Sequence, residues 1–111
     1  MIRLKTVMTH PLLLTMVLGL AAHADPTIVI NEFAAINDSG LQDEDGDHSD
    51  WLELHNYGEQ SVDLSGTYLT DNRKKPMRWK IPTITIVPGE HLVIFLSGKD
   101  RADPNAPLHA N

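Results

Sequence analysis

The segment Trp51-Leu52-Glu53-Leu54-His55-Asn56 alternates with period two. Successive side chains of a strand point to opposite faces, so Leu52 and Leu54 share one face and Trp51, Glu53 and His55 the other. The same kind of signal recurs along the chain. Thr27 to Phe33 is rich in β-branched residues, Val62 and Leu64 alternate with Ser61 and Asp63, and Tyr68-Leu69-Thr70 is a further short strand. Met77 to Ile81 alternates apolar and basic residues, which predicts a strand with Met77, Trp79 and Ile81 on one face. Thr83 to Val87 is again β-branched, and His91 to Leu96 is the most apolar run of this part of the chain, expected to be the most buried strand. Turn residues separate these runs: Tyr57 to Gln60, Ser65-Gly66, Asp71-Asn72, Pro82 and Pro88-Gly89. Asn37 to Asp50 reads as a long acidic loop, and Ser97 to Asn111 as polar and irregular. No segment beyond the N-terminal region carries a helical period. Short strands spaced by turns imply an all-β sandwich.

The first 24 residues read differently. Arg3 and Lys5 give a basic start, Leu12 to Ala22 is apolar, and Ala22-His23-Ala24 is an A-x-A cleavage pattern. Together these read as a signal-peptide helix, residues 1–24, cut before Asp25. The apolar run is about half the ~20 residues of a membrane span. The reading therefore expects a secreted, periplasmic or cell-surface protein with no membrane span after cleavage. Residues 25–111 would then form one domain. Cleavage removes two basic residues and no acidic ones, so the net charge deepens from −6 to −8. With no cysteine in the chain, a disulfide scaffold, a thiolate zinc site and a cysteine nucleophile are all excluded. The acidic balance argues against nucleic acid as a partner held by bulk charge.

Several blocks, taken in order, carry a resemblance. Ile30-Asn31-Glu32-Phe33 precedes the acidic loop, and Asp50 to Asn56 follows it. Val62 to Asp71, Trp79-Lys80-Ile81-Pro82, Pro88 to Phe95 and Ser97-Gly98-Lys99-Asp100-Arg101 complete the series. This order resembles the lamin-tail domain in its bacterial secreted form, over about residues 27–111. The resemblance implies an immunoglobulin-like β-sandwich without catalysis. Such domains accompany other modules in large exported proteins, including CotH-type kinase-like domains and nucleases. Two departures stand out. Thr67 replaces the family's usual Trp, and the family pattern continues past Asn111, so the last strands are expected to be missing, as in a truncated gene, a fragment of a longer protein or a prematurely ended reading frame.

Candidate chemistry concentrates in Asp43-Glu44-Asp45-Gly46-Asp47-His48-Ser49-Asp50. Ca²⁺ takes several carboxylate and carbonyl oxygens, and Asp43, Asp45, Asp47 and Asp50 are the candidate ligands, with Gly46 allowing the sharp turn. The pattern is not an EF-hand, because the glycine falls too early and Leu54 stands at the twelfth position. The competing reading is a solvated acidic loop. Glu32 and Glu53, on neighbouring strands, have the residue types of an acid–base pair, against a simpler role pairing with Arg73, Arg78 or Lys80. His48, His55, His91 and His109 show no metal-ligand spacing. His48-Ser49-Asp50 has triad residue types, but adjacent residues cannot adopt a triad's geometry. Arg73, Lys74, Lys75, Arg78 and Lys80, with Trp79 among them, form a basic cluster suited to an anionic polymer or DNA. A lysine-protected edge strand is the simpler reading.

The sequence thus predicts a non-catalytic exported interaction or adhesion module. Its expected partner is a protein or carbohydrate at the cell surface, and Ca²⁺ is the one cofactor considered. An accessory module of a larger exported enzyme and a polyanion binder are the alternatives.

Overall fold

The computed structural model describes residues 27–111 and the backbone of Arg3–Thr6. Among the described residues nine strands are formed: β1 (Arg3–Thr6), β2 (Ile28–Ala34), β3 (Trp51–Asn56), β4 (Val62–Asp63), β5 (Thr67–Thr70), β6 (Trp79–Lys80), β7 (Thr85–Ile86), β8 (His91–Phe95) and β9 (Leu108–His109). They make a four-stranded sheet in the order β2-β3-β8-β9, a three-stranded sheet β1-β5-β6 and a ribbon β4-β7. Within the four-stranded sheet only the β8–β9 pairing is parallel.

Cross-strand register builds the core in rows. Ile30, Leu54 and Leu92 stand opposite one another, and so do Leu52, Ile94 and Leu108, with Phe33 beside Leu52 at the exposed edge. Directly opposed residues share a face of the sheet, so these rows present one apolar surface. Leu64, Leu69, Trp79, Ile81 and Ile86 from the other two sheets join it in a single buried cluster. The result is the expected immunoglobulin-like sandwich, with β3 at its centre. The alternation read from the sequence holds residue by residue in β3: Leu52, Leu54 and Asn56 are buried, while Trp51, Glu53 and His55 are half-buried on the outer face.

Buried Asn56 closes the end of this core. Its side-chain amide donates to the carbonyls of Gln60 (2.8 Å) and Ile86 (2.9 Å), and its Oδ1 accepts the Gly58 N–H (3.0 Å). One side chain thereby ties the β3–β4 turn to β7.

Three expectations need correction. Met77 does not share a face with Trp79 and Ile81. It is 56% exposed, against 3% and 0%, because strand β6 starts only at Trp79 and Met77 lies in the preceding turn. The β-branched run at 83–87 pairs over only Thr85 and Ile86. The C-terminal segment is not irregular throughout, since Leu108, His109 and Ala110 are buried and β9 extends the large sheet.

Where a signal-peptide helix is expected to begin, the backbone of Arg3–Thr6 pairs antiparallel with Thr67–Thr70. Open edge strands accept any extended segment in this way. The apolar run and cleavage pattern of that expectation lie outside the described residues. Among the described residues no helix is long and apolar enough to cross a membrane.

Candidate functional site

The outer face of the four-stranded sheet carries a second set of rows. Trp51 stands opposite Phe95, and Phe95 opposite His109. The Phe95 and His109 rings stack with centroids 5.0 Å apart. The 35–50 loop connects the outer strand β2 to β3 and closes against this end of the sheet.

Internal hydrogen bonds shape the loop. The Asn37 amide donates to the carbonyls of Leu41 (2.6 Å) and Ser49 (2.9 Å), and its Oδ1 accepts the Gly40 N–H. Asp50 Oδ1 accepts the Asn37 N–H at 3.2 Å. Further on, the Asp43 N–H donates to the Asp47 carbonyl (2.9 Å) and the Gly46 N–H to the Asp43 carbonyl (3.0 Å). This tight turn requires Gly46 at φ 82°, a conformation a side chain disfavours.

Asp43 is the hub. Its side chain is fully enclosed. Oδ1 accepts the N–H groups of Asp45 and Asp47, each at 3.0 Å, and Oδ2 accepts the Ser49 hydroxyl at 2.9 Å. The Lys99 ammonium then donates to one oxygen of each neighbouring aspartate: Asp43 (2.6 Å), Asp45 (2.7 Å) and Asp47 (2.9 Å). Lys99 Nζ thus stands at the centre of three carboxylates whose oxygens lie within 4.8 Å of one another. Of the four residues proposed as calcium ligands, the structure brings Asp43, Asp45 and Asp47 together and turns Asp50 to Asn37. The donor set suits a cation, and a protein ammonium is placed to serve as that cation.

A second arm continues the network. Arg101 Nη1 reaches Glu44 Oε1 (2.6 Å) and Asp45 Oδ2 (2.8 Å). His109, wholly buried, places Nε2 at 2.8–2.9 Å from both Glu44 oxygens and Nδ1 at 2.7 Å from the Ser97 hydroxyl. Lys99, Arg101 and His109 all follow β8, so the network locks the C-terminal segment onto the acidic loop.

Ser97, His109 and Glu44 have the residue types and contacts of a nucleophilic triad, assembled from separate elements as the chemistry demands. Their surroundings do not support acyl transfer. The His109 ring is fully enclosed. The two N–H groups nearest the serine are committed, Gly98 to the Ala110 carbonyl and Lys99 to Ser97 Oγ itself, so they do not form an oxyanion hole. The half-open 140 Å³ cavity alongside is lined by Leu69, Asp71, Arg78, Trp79, Leu96 and Ala110, without these three residues.

The electrostatics follow the contacts. Burial pushes the Asp43 carboxyl up, but the Lys99 ammonium, the Asp47 and Asp45 amides and the Ser49 hydroxyl together hold it well below the usual carboxylate range. His109 lowers Glu44, and Lys99 lowers Asp45. In return, Asp43 raises Lys99 and Glu44 raises Arg101. A carboxylate depressed in the folded state stabilises the fold above its unfolded value, and that contribution is lost as pH falls through the folded value. Melting temperature is therefore expected to be flat from pH 7 to about 5, to be lower by about 10 °C at pH 3 as the unfolded carboxylates take up protons that the folded ones do not, and to go on falling below pH 3. The raised bases act at the other end, so the lock should hold up to about pH 10. Thermal melts across pH 3–10 check both limits.

The other candidates are placed differently. Arg73, Lys74, Lys75, Arg78 and Lys80 are all exposed on and beside the β5–β6 connection, and Arg78 pairs with Asp71 at 2.7 Å. Trp79 is buried and donates its indole N–H to Asp100 (3.0 Å), so it offers no stacking platform. Glu32 and Glu53 stand directly opposite each other. Glu53 meets Asn31 and His91, not the basic cluster. Lys99, Arg101, Ser97 and His109 were given no role from sequence. The available signal was the Lys99/Arg101 spacing, which puts two cations within reach of an acidic loop that needs neutralising.

Comparison with known proteins gives one family. The sequence model described as the Lamin Tail Domain matches residues 21–110. No curated protein and no solved structure matches the chain.

Proposed function

This chain belongs to the lamin tail domain family, a family of non-enzymatic immunoglobulin-like modules, and from that premise we propose that it is a non-catalytic interaction module of an exported protein, with the 33–41 segment and its loop as the recognition surface. One observation carries the reading. Phe33, Ile36 and Leu41 are 61%, 82% and 45% exposed on a stretch of chain whose backbone is held by Asn37 and Asp50. Exposed apolar side chains on a rigidly supported loop are the usual material of a recognition site. Aliphatic groups of this kind suit a protein partner. Export is supported by the basic start, apolar run and A-x-A pattern of the N-terminal residues.

The test is site-specific photo-crosslinking in the producing cell, with the probe at position 36 or, as a control, at exposed Val87. A discrete adduct from position 36 that is lost in Leu41→Asp is the expected result. Identical adducts from both positions would remove the assignment. A second reading rests on the five exposed cations of 73–80, which together suit an anionic polymer. Retention on a heparin or polyphosphate column that falls steeply with salt, and falls again in Lys74→Gln/Lys75→Gln, would favour it.

A further inference from the structure

We propose that His55, His91 and Glu53, on the outer face of the four-stranded sheet, form a binding site for a late first-row divalent metal ion of the zinc and copper class. Thirty-six positions separate the two histidines in the chain, and the β3–β8 pairing sets them directly opposite each other. Their rings stack in parallel, with centroids 4.1 Å apart and planes within 4°. Glu53 lies two residues before His55 on the same face, with Oε1 3.9 Å from His91 Nε2. Its partner on β2 is Glu32, an exposed carboxylate. Two imidazoles and a carboxylate are a common donor set for zinc, leaving a position for water or a ligand from outside.

The surrounding structure supports the site in two ways. Asn31 is the extra residue of a bulge in β2, where the register shifts between Ile30 and Glu32. Bulges re-aim a side chain, and here the Asn31 amide donates to Glu53 Oε1 at 2.9 Å. A second residue that orients a ligand carboxylate is characteristic of metal sites. The paired glutamates also concentrate negative charge that opposed strands otherwise avoid, and a bound dication would neutralise it. In the parallel stack the ring lone pairs do not converge. Rotation of the half-exposed rings about χ2, a soft torsion, would turn Nε2 of both toward Glu53. The backbone needs no change, because β3 and β8 are already paired.

The site is independent of the proposed recognition loop, so each idea can fail alone. The experiment is a Zn²⁺ titration of the untagged chain by calorimetry, with histidine ring signals followed by NMR, and Ca²⁺ as a parallel probe. The expected result is one Zn²⁺ per chain, with the His55 and His91 signals shifting together and His48 unmoved. Zn²⁺ affinity should drop at least tenfold in His91→Gln and in His55→Gln, and several-fold in Asn31→Ala through Glu53. His48→Gln should bind as the native chain does, and Ca²⁺ should leave both ring signals unchanged. These are surface changes, and an unaltered melting temperature without metal would confirm that each variant is folded. Undiminished Zn²⁺ affinity in the folded His55→Gln/His91→Gln double variant, or a shift centred on His48 or His109, would overturn the proposal.

Discussion

Replacing Lys99 with methionine is expected to lower the melting temperature by about 10 °C near neutral pH. The stem of the side chain keeps its packing, so the effect isolates the ammonium. Three short charge-assisted bonds disappear at once. Asp43 stays fully enclosed with only two amides and the Ser49 hydroxyl as partners, Asp47 is left facing it without a counter-charge, and Asp45 keeps only Arg101. An enclosed charge stripped of its partner costs more than the pair contributed. Two further measurements identify the cause. The gap to the native chain should narrow as pH falls from 5 to 3, because protonation removes the repulsion in the variant, while the native chain, whose Asp43 stays ionised beside Lys99, loses stability to proton uptake by the unfolded chain. In the variant, millimolar Ca²⁺ should recover part of the loss, since the carboxylates released from the ammonium offer the oxygens calcium takes. The native chain should not respond, because Lys99 holds the same oxygens. A rise in melting temperature of the native chain with Ca²⁺ would mean that the ion displaces Lys99, and would restore the acidic loop as an ion site.

Asn56→Leu is expected to be at least as costly, with a loss of about 3 kcal/mol and a melting temperature lower by roughly 15 °C. Leucine fills a similar volume, so the packing changes little. What is lost is the set of partners for three backbone groups: the Gln60 and Ile86 carbonyls and the Gly58 N–H. The Ile86 carbonyl, bonded inside the core, then carries its full desolvation penalty, and the partly buried Gln60 carbonyl and Gly58 N–H a share of theirs. Asn56→Asp separates this account from a packing effect. An ionised carboxylate would face two carbonyl oxygens, whereas the protonated acid could donate to one of them. The folded state of that variant should therefore bind its proton more tightly than the unfolded chain. Its stability deficit should shrink below about pH 5 and widen above. A deficit independent of pH in Asn56→Asp would contradict the hydrogen-bond account.

The two residues differ in how far they could be read in advance. Asn56 lies at the end of a strand whose alternation is plain in the sequence, so its inward direction follows from Leu52 and Leu54. The partners Gln60 and Ile86 do not follow, since the second is thirty residues away. For the acidic loop, the clustering of Asp43, Asp45 and Asp47 around a turn at Gly46 was legible. The cation was not. Lys99 lies more than fifty residues beyond its partners, and a lone lysine in a polar tail carries no local signal. His109 was hidden by the same circumstance, since a two-residue strand has no periodicity to detect. Met77 was misplaced for the opposite reason, because an alternating pattern there extended beyond the strand that forms.

Local chemistry therefore decided much of this protein. Period-two patterns, turn residues and the lack of helical periodicity specified an all-β sandwich and the inner face of Trp51 to Asn56, because the direction of a side chain in a strand depends only on its neighbours in sequence. The absence of cysteine left packing, hydrogen bonds and ion pairs to hold it. The tertiary structure alone decided which distant groups meet: Lys99 among three aspartates, Glu44 on a buried histidine, and His55 stacked on His91. Strand pairing and loop closure choose those neighbours, and their energies depend on distance and burial that no local pattern records.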